Sequence, residues 1–221
     1  MQTALPQAEQ LAQRRQEVER SKGVPAKPER ASTTDPEART MKMGDGGFRA
    51  TYNAQLTTTS VGGVIVGGAA TASGSDSGQM PQMVEQWQKR YGRVAEEMLV
   101  DGGFATVDDL QTVPEQQAVT VYASIQDEDK KRQRGVDPYA PRPGDEAGVA
   151  LWRQRRGTAE AKEIYRERAS AAEWVNAMAR NRGWYQVRVR GRLKVLAVLL
   201  WQGLAHNLLR AVALRKASAA G

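Results

Sequence analysis

The sequence predicts a mixed α/β fold, on the basis of apolar periodicity, turn residues and alternating strand and helix patterns. The strand-like segments are 52–58, 64–70, 98–100 and 119–122. Ser60, Gly62 and Gly63 join the first two in a hairpin. Helical patterns at 79–91 and 107–110 separate the other strands. This order of elements places short strands between helices.

The composition indicates a basic chain whose metal chemistry would depend on carboxylates. The chain has 221 residues, a net charge of +7, no cysteine and one histidine. A basic balance favours polyanionic partners, although a basic protein without such a partner shows the same balance. Disulfides and thiolate metal sites are excluded for this sequence. Carboxylate ligands would select Mg²⁺ or Mn²⁺.

The two ends of the chain differ from the middle. Residues 1–30 are polar and are predicted to be a disordered or helical segment with a linker, with a short amphipathic helix at 8–21. No secretion signal is expected there, which predicts a cytoplasmic protein. The longest apolar run, 195–201, is too short to cross a bilayer of about 30 Å. We therefore expect a buried helix over 193–214 and no membrane partner.

The second half of the chain is predicted to be mostly helical. Residues 127–148 carry a charged run and several prolines, which indicates a loop insertion. A helical pattern follows over 149–182, with a break near Gly157 and Thr158. Residues 184–190 alternate apolar and polar side chains, which predicts a half-exposed strand with a basic face.

The segment Glu97–Phe104 is the most informative motif. Three apolar residues form a strand, Asp101 ends it, and Gly102 and Gly103 allow an immediate turn. Ligands of open α/β sheets bind at this end of the strands, although Asp-Gly after a strand is also an ordinary turn. A second acid, Glu173, lies on a predicted helix near tyrosine and arginine residues. The two acids together suggest metal-dependent chemistry on a phosphate backbone.

Several further motifs occur in a fixed order along the chain. They are Ser32–Arg39, Gly47–Phe48, Tyr52–Gln55, Gly74–Met80, Leu99–Phe104, Asp137–Arg142, Ala172–Ala177, Arg180–Gly183 and Leu204–Leu208. In this order and spacing they resemble the C-terminal part of a bacterial insertion-sequence transposase of the Asp-Asp-Glu (DDE) type. The resemblance covers about 31–214 and implies a ribonuclease-H-like mixed sheet flanked by helices, within a domain over 31–216.

The resemblance implies an active site built on carboxylates. Asp101 would be the second acid of the triad and Glu173 the third, each a ligand of Mg²⁺ or Mn²⁺, with two ions in the complete site. Tyr165, Arg168, Glu173 and Arg180 resemble the signature Tyr-x2-Arg-x3-Glu-x6-Lys, with one extra residue before Glu173 and arginine in place of lysine. The family's first acid has no equivalent upstream of Ala31, so we expect a truncated copy with an N-terminally incomplete sheet.

The implied function is metal-dependent cleavage and transfer of DNA strands during insertion-sequence transposition. Residues expected to contact DNA are Tyr165, Arg168, Arg180, Arg188 and Arg190. The expected partners are the element ends, target DNA and a second copy in a synaptic complex, in the nucleoid region of the cytoplasm. Because the first acid is missing, a catalytically inactive DNA-binding transposase remnant is an alternative. Outside the site, we expect His206 to be a hydrogen-bonded core residue and Trp174, Trp184 and Trp201 to be core residues.

Overall fold

The computed structural model describes residues 4–23, 31–184 and 186–220. The helices are α1 Ala4–Lys22, α2 Met80–Tyr91, α3 Val107–Gln117, α4 Glu128–Gln133, α5 Ala147–Gly157, α6 Ala159–Asn181 and α7 Arg192–Ala220. The strands are β1 Arg39–Lys42, β2 Phe48–Thr51, β3 Asn53–Thr58, β4 Ile65–Thr71, β5 Glu97–Val100 and β6 Thr120–Ala123. The predicted mixed α/β class is confirmed. In the described residues the strands pair two by two, β1 with β2, β3 with β4 and β5 with β6.

The described residues separate into two compact units. The first contains those within 1–55, 69–74 and 186–202, and the second those within 56–68, 75–185 and 203–221. The long helix α7 and the β3–β4 pair each contribute to both units. The predicted linker over 24–30 lies outside the described residues.

The first unit contains the antiparallel β1–β2 hairpin and the start of α7. Two carboxylates from the Ser32–Arg39 motif bind the backbone where α7 begins: Asp35 Oδ2 accepts from the Gly191 amide at 3.0 Å, and Glu37 Oε2 from the Arg192 amide at 2.8 Å. Tyr52 Oη donates to Asp35 Oδ1 at 2.8 Å, and burial together with this hydrogen bond raises the pKa of Tyr52. This motif therefore satisfies free amides at a helix start, where negative charge is favourable.

The second unit is built around a parallel β5–α3–β6 crossover. Glu97 pairs with Thr120 and Val100 with Ala123, so both strands end at the same edge. Helix α3 packs against α2, α5 and β6, and α6 packs against β5 and β6. The core residues of this unit include Met80, Met83, Val84, Trp87, Leu110, Val113, Val121, Trp152 and Val175. The crossover therefore lies between helices and places a strand end beside α6.

Several local predictions are confirmed. Strands β3–β6 and helix α2 agree with the predicted segments to within two residues. The break between α5 and α6 falls at Gly157 and Thr158, where Thr158 Oγ1 accepts from the Ala161 amide at 3.1 Å and caps α6. Helix α3 is longer than the predicted single turn, and Thr106 and Asp109 form a reciprocal capping box at its start.

Other local predictions are wrong. The predicted strand over 184–190 is irregular at 186–190, so its apolar alternation does not correspond to strand pairing. Helix α4 lies inside the predicted loop 127–148, and β1 lies inside the loop predicted before Gly47. Alternating apolar residues and turn residues indicate which backbone conformation a segment prefers locally. A strand also needs the edge of a neighbouring strand to pair with.

The prediction that α7 is a buried helix is also wrong. Within Arg192–Ala219, only 22% of the most apolar 18-residue stretch is buried. By length and composition this one described helix could cross a membrane. Trp201, predicted to be a core residue, is 71% exposed. Apolar residues occur on every face of α7. The apolar composition of a helix does not show which other elements pack against it, so burial could not be predicted from it.

Candidate active site

Asp101 stands at the carboxyl end of β5 and shapes the turn that follows. Its Oδ1 accepts from the Gly102 amide at 2.8 Å, and its carbonyl accepts from the Phe104 amide at 2.9 Å. The side chain is exposed. Within the described residues Oδ2 of Asp101 has no hydrogen-bond partner, so this oxygen is free to accept a hydrogen bond or to coordinate a cation. Asp101 thus acts as a turn residue and still presents a free carboxylate oxygen.

Gly102 allows the ends of β5 and β6 to approach closely. A Cβ atom at Gly102 would lie 2.5 Å from Ser124 Oγ and 2.8 Å from the Ser124 carbonyl oxygen. Any larger residue would have to displace the backbone after β6. Ser77 Oγ donates to the Gly103 carbonyl at 3.1 Å, which ties the loop before α2 to the same turn. Gly102 is therefore required by packing, whereas a Cβ atom at Gly103 would meet no atom within 4 Å, and neither glycine has a positive φ.

Helix α6 reaches this strand end through Tyr165. Tyr165 Oη donates to the Val100 carbonyl at 3.0 Å, immediately before Asp101. The guanidinium carbons of Arg156 and Arg168 lie 4.3 Å and 5.5 Å from the centroid of the Tyr165 ring. Two cations are therefore held on one aromatic ring beside a strand-end acid, an arrangement that favours an anionic ligand.

Glu173 lies two turns further along α6 and on a different face. An uninterrupted α-helix from Ala159 to Asn181 places a residue eight positions after Tyr165 about 12 Å along the axis and about 80° around it. One residue earlier, at Ala172, the angle would be only about 20°. The extra residue in the signature therefore turns Glu173 away from the face of Tyr165. The side chain is exposed, and its approach to Asp101 stays a prediction.

The other residues expected to bind DNA lie elsewhere. Arg180 is exposed in the last turn of α6, and Arg188 and Arg190 are exposed in the irregular segment of the first unit. The structure places Tyr165 at the strand end that precedes Asp101 and Arg168 against the Tyr165 ring, and adds Arg156 at the same ring, which the sequence did not predict. The adjacent arginines Arg155 and Arg156, on the helix before the signature, could have suggested a further cation near the site. The sequence did not show which of the two is buried.

The side chains at the end of β5 include one carboxylate that could serve as a metal ligand. Asp101 offers an oxygen that Mg²⁺ accepts as a ligand. Across the described ranges, no group of three or more acidic or histidine side chains gathers in a geometry that could hold an ion. The residues described therefore fit one ligand of a metal site and do not build a two-metal centre.

A second polar cluster, which we call the turn–helix clamp, joins the turn 59–65 to α7. Asn207 accepts from the Ile65 amide at 2.8 Å and donates to the Ile65 carbonyl at 2.7 Å. His206 Nε2 lies 2.8 Å from the Gly63 carbonyl oxygen, and Arg210 Nε donates to the Gly62 carbonyl at 2.7 Å. His206 is 4% exposed, which confirms it as a hydrogen-bonded core residue. The Leu204–Leu208 motif thus serves packing.

Aromatic contacts extend the clamp onto α6. The Trp174 ring lies 5.7 Å from the His206 ring in an edge-to-face arrangement, and the Arg210 guanidinium lies 4.8 Å from the Trp174 centroid. Trp174 was predicted to be a core residue, but it is 37% exposed and therefore only partly buried. A Cβ at Gly63 would lie 2.7 Å from the Trp174 ring, and Gly63 has φ of +59°, so glycine is required there.

Comparisons of the chain with protein-family models, with curated proteins and with solved structures find no match.

Proposed function

We propose that this chain is the C-terminal part of a DDE-type DNA transposase with a ribonuclease-H-like catalytic domain. The observation that carries the proposal is the hydrogen bond from Tyr165 to the Val100 carbonyl. Tyr165 and Asp101 belong to two motifs that the resemblance treats as parts of one active site, and they are 64 positions apart in the sequence. Their meeting at a strand end supports the proposal.

The surroundings of the strand end are suited to binding a phosphate backbone. Arg156 and Arg168 supply positive charge, and an arginine fork can bind a phosphate through two hydrogen bonds. Asp101 would contribute one carboxylate ligand to Mg²⁺ or Mn²⁺, which in this family activates water and stabilises the leaving oxygen. DNA and a second copy of the chain in a synaptic complex are the proposed partners, and the cytoplasmic nucleoid is the proposed location.

The alternative is a catalytically inactive DNA-binding remnant. The observation that favours it is the regular course of α6, because the extra residue before Glu173 rotates that carboxylate about 80° from the face that meets β5. Small displacements of catalytic groups are costly for such chemistry. On this alternative the basic residues retain DNA binding without strand cleavage.

One experiment separates the two proposals. Purified chain and its Asp101→Ala variant are incubated with Mg²⁺ or Mn²⁺ and with DNA fragments that flank the gene on both sides. Nicking at discrete positions by the wild type that is lost in Asp101→Ala supports the transposase. Salt-sensitive binding without nicking by either protein supports the remnant, because phosphate contacts release counterions. Absence of both binding and nicking at about 50 mM salt would contradict both.

A further inference from the structure

Helix α7 has an exposed apolar face in each of the two units. In the second unit, every exposed side chain of α7 over 204–214 is apolar. In the first unit, the exposed side chains over 197–201 are apolar as well. Five residues at spacings of three or four lie on one side of the helix, namely Ala197, Trp201, Leu204, Leu208 and Val212. They extend over about 23 Å, and an exposed apolar surface of this kind marks an interaction site.

The turn–helix clamp fixes which side of α7 faces solvent in the second unit. His206, Asn207 and Arg210 alternate in sequence with the exposed apolar residues, and each is hydrogen-bonded to the backbone of the turn 59–65. These polar side chains are therefore used within the unit, and the apolar side is turned outward. A helix that crossed a bilayer would have to give up these hydrogen bonds and place Arg210 in hydrocarbon, which is costly. An orientation along a surface keeps the clamp intact.

The residues that flank this face are strongly cationic. Residues 174–221 contain nine lysines and arginines and no aspartate or glutamate, so they supply more than the whole net charge of +7. Exposed cations lie at both ends of the apolar face, with Arg192 and Lys194 before it and Arg215 and Lys216 after it. A second copy of α7 would oppose these like charges whether the two helices ran parallel or antiparallel. The charge pattern therefore favours an extended anionic surface over a second copy.

We propose that α7 binds the surface of an anionic lipid bilayer, with its axis along the surface and its apolar face among the headgroups and upper acyl chains. An apolar helix face next to basic side chains is typical of helices that lie in a membrane interface. Lysine and arginine residues beside such a helix are attracted to anionic headgroups. The expectation of no membrane partner depended on burial of α7, and its exposed face removes that reason. This interaction is independent of the proposed binding of DNA.

The first test measures co-sedimentation of the full chain with vesicles of phosphatidylcholine and phosphatidylglycerol in equal amounts. Leu204→Gln with Leu208→Gln interrupts the apolar face. Leu5→Gln with Leu151→Gln is the matched control, because these leucines are 69% and 54% exposed on other helices. We expect the wild type and the control to bind these vesicles, and the α7 variant to bind them about 10-fold more weakly. Vesicles of phosphatidylcholine alone should bind the wild type weakly, because they lack anionic headgroups.

Three outcomes of the sedimentation test would overturn the proposal. A wild type that binds no anionic vesicles has no affinity for the lipid surface. Equal binding by the two leucine variants would show that the basic residues are sufficient and that the apolar face does not enter the bilayer. A wild type that is a dimer in analytical ultracentrifugation, and that becomes a monomer on substitution of Leu204 and Leu208, would assign the face to a second copy of the chain.

A fluorescence measurement keeps the test decisive if the leucine variant does not fold. Trp201 is 71% exposed on the apolar face, so Trp201→Phe should melt like the wild type. Trp184→Phe, at a half-buried tryptophan outside α7, is the matched control. With vesicles of phosphatidylglycerol and acyl-brominated phosphatidylcholine, tryptophan fluorescence should be quenched in the wild type and in Trp184→Phe, and much less in Trp201→Phe. Equal quenching in Trp201→Phe and Trp184→Phe, or vesicle binding without quenching of the wild type, would overturn the proposal.

Discussion

Two buried arginines, one turn apart on α5, have opposite environments. Arg153 is 8% exposed and donates from Nε to Asp145 Oδ2 at 2.6 Å and from Nη2 to Asp145 Oδ1 at 3.4 Å. Arg156 is 6% exposed, donates a hydrogen bond to the Ala161 carbonyl, lies against the Tyr165 ring, and forms no ion pair with the described residues. The first charge is neutralised within the protein, and the second is not. Burial alone therefore does not determine whether an arginine is paired with a carboxylate of the protein.

The comparison also separates the two polar clusters of the second unit. In the turn–helix clamp, Asn207 uses both its oxygen and its nitrogen on one residue, Ile65, and Arg210 donates to Gly62. At the end of β5, Asp101 keeps one oxygen without a described partner, and Arg156 keeps its Nε unpartnered. Groups that satisfy each other stabilise the fold, whereas the unsatisfied groups contribute no such hydrogen bonds within the described residues.

The largest expected effect follows from breaking the Arg153–Asp145 pair. Asp145→Ala removes the only carboxylate described beside Arg153 and also a bond from the Arg142 amide to Asp145 Oδ2. Because both side chains are about nine-tenths buried, the remaining cation is left without compensation. We expect the free energy of unfolding in urea to fall by about 3 kcal/mol.

The double substitution Asp145→Asn with Arg153→Met is the control for that prediction. Replacing both members of a buried pair with neutral groups should cost less than removing one member, because no charge is left unpaired. A double variant as unstable as Asp145→Ala would show that packing, and not the charge pair, determines the loss.

The clamp gives the next largest effect. Asn207→Ala leaves the Ile65 amide and carbonyl without their side-chain partner, and we expect a loss of about 2 kcal/mol of unfolding free energy. Asn176→Ala, an exposed asparagine on α6, is the matched control and should change stability by less than about 0.5 kcal/mol. Similar losses in the two variants would mean that the clamp contributes little to stability.

The end of β5 shows how far local sequence patterns determine this structure. The motif around Asp101 predicted a strand, an acid and a turn, and each follows from neighbouring residues. The hydrogen bond between Tyr165 and Val100 was not predicted, because the two residues are far apart in sequence. The pairing of Arg153 and the isolation of Arg156 depend on where Asp145 lies in three dimensions. From their positions in the sequence of α5 alone, Arg153 and Arg156 could not be distinguished.

For helix α7, the sequence predicted the secondary structure correctly and the burial incorrectly. Its helical state was predicted from apolar composition and is confirmed, but the same composition predicted burial, which is wrong. Leu193, Trp201 and Leu208 are each more than half exposed. Helix propensity is local, whereas burial depends on which elements pack nearby, so a uniformly apolar helix does not identify its own buried face.

The smallest effect concerns pH and tests whether Asp145 is charged in the fold. The hydrogen bond from Arg153 is the largest cause that lowers the pKa of the Asp145 carboxyl below its ordinary value. A lowered pKa in the folded state gives stability that is fully present above the unfolded pKa of about 3.9 and is lost as pH falls through the folded pKa. Urea unfolding between about pH 5 and pH 2.5 should therefore show a steeper fall for the wild type than for Asp145→Asn. Parallel pH profiles would mean that Asp145 gives up its proton equally readily in both states, and the contrast between Arg153 and Arg156 would then rest on geometry alone.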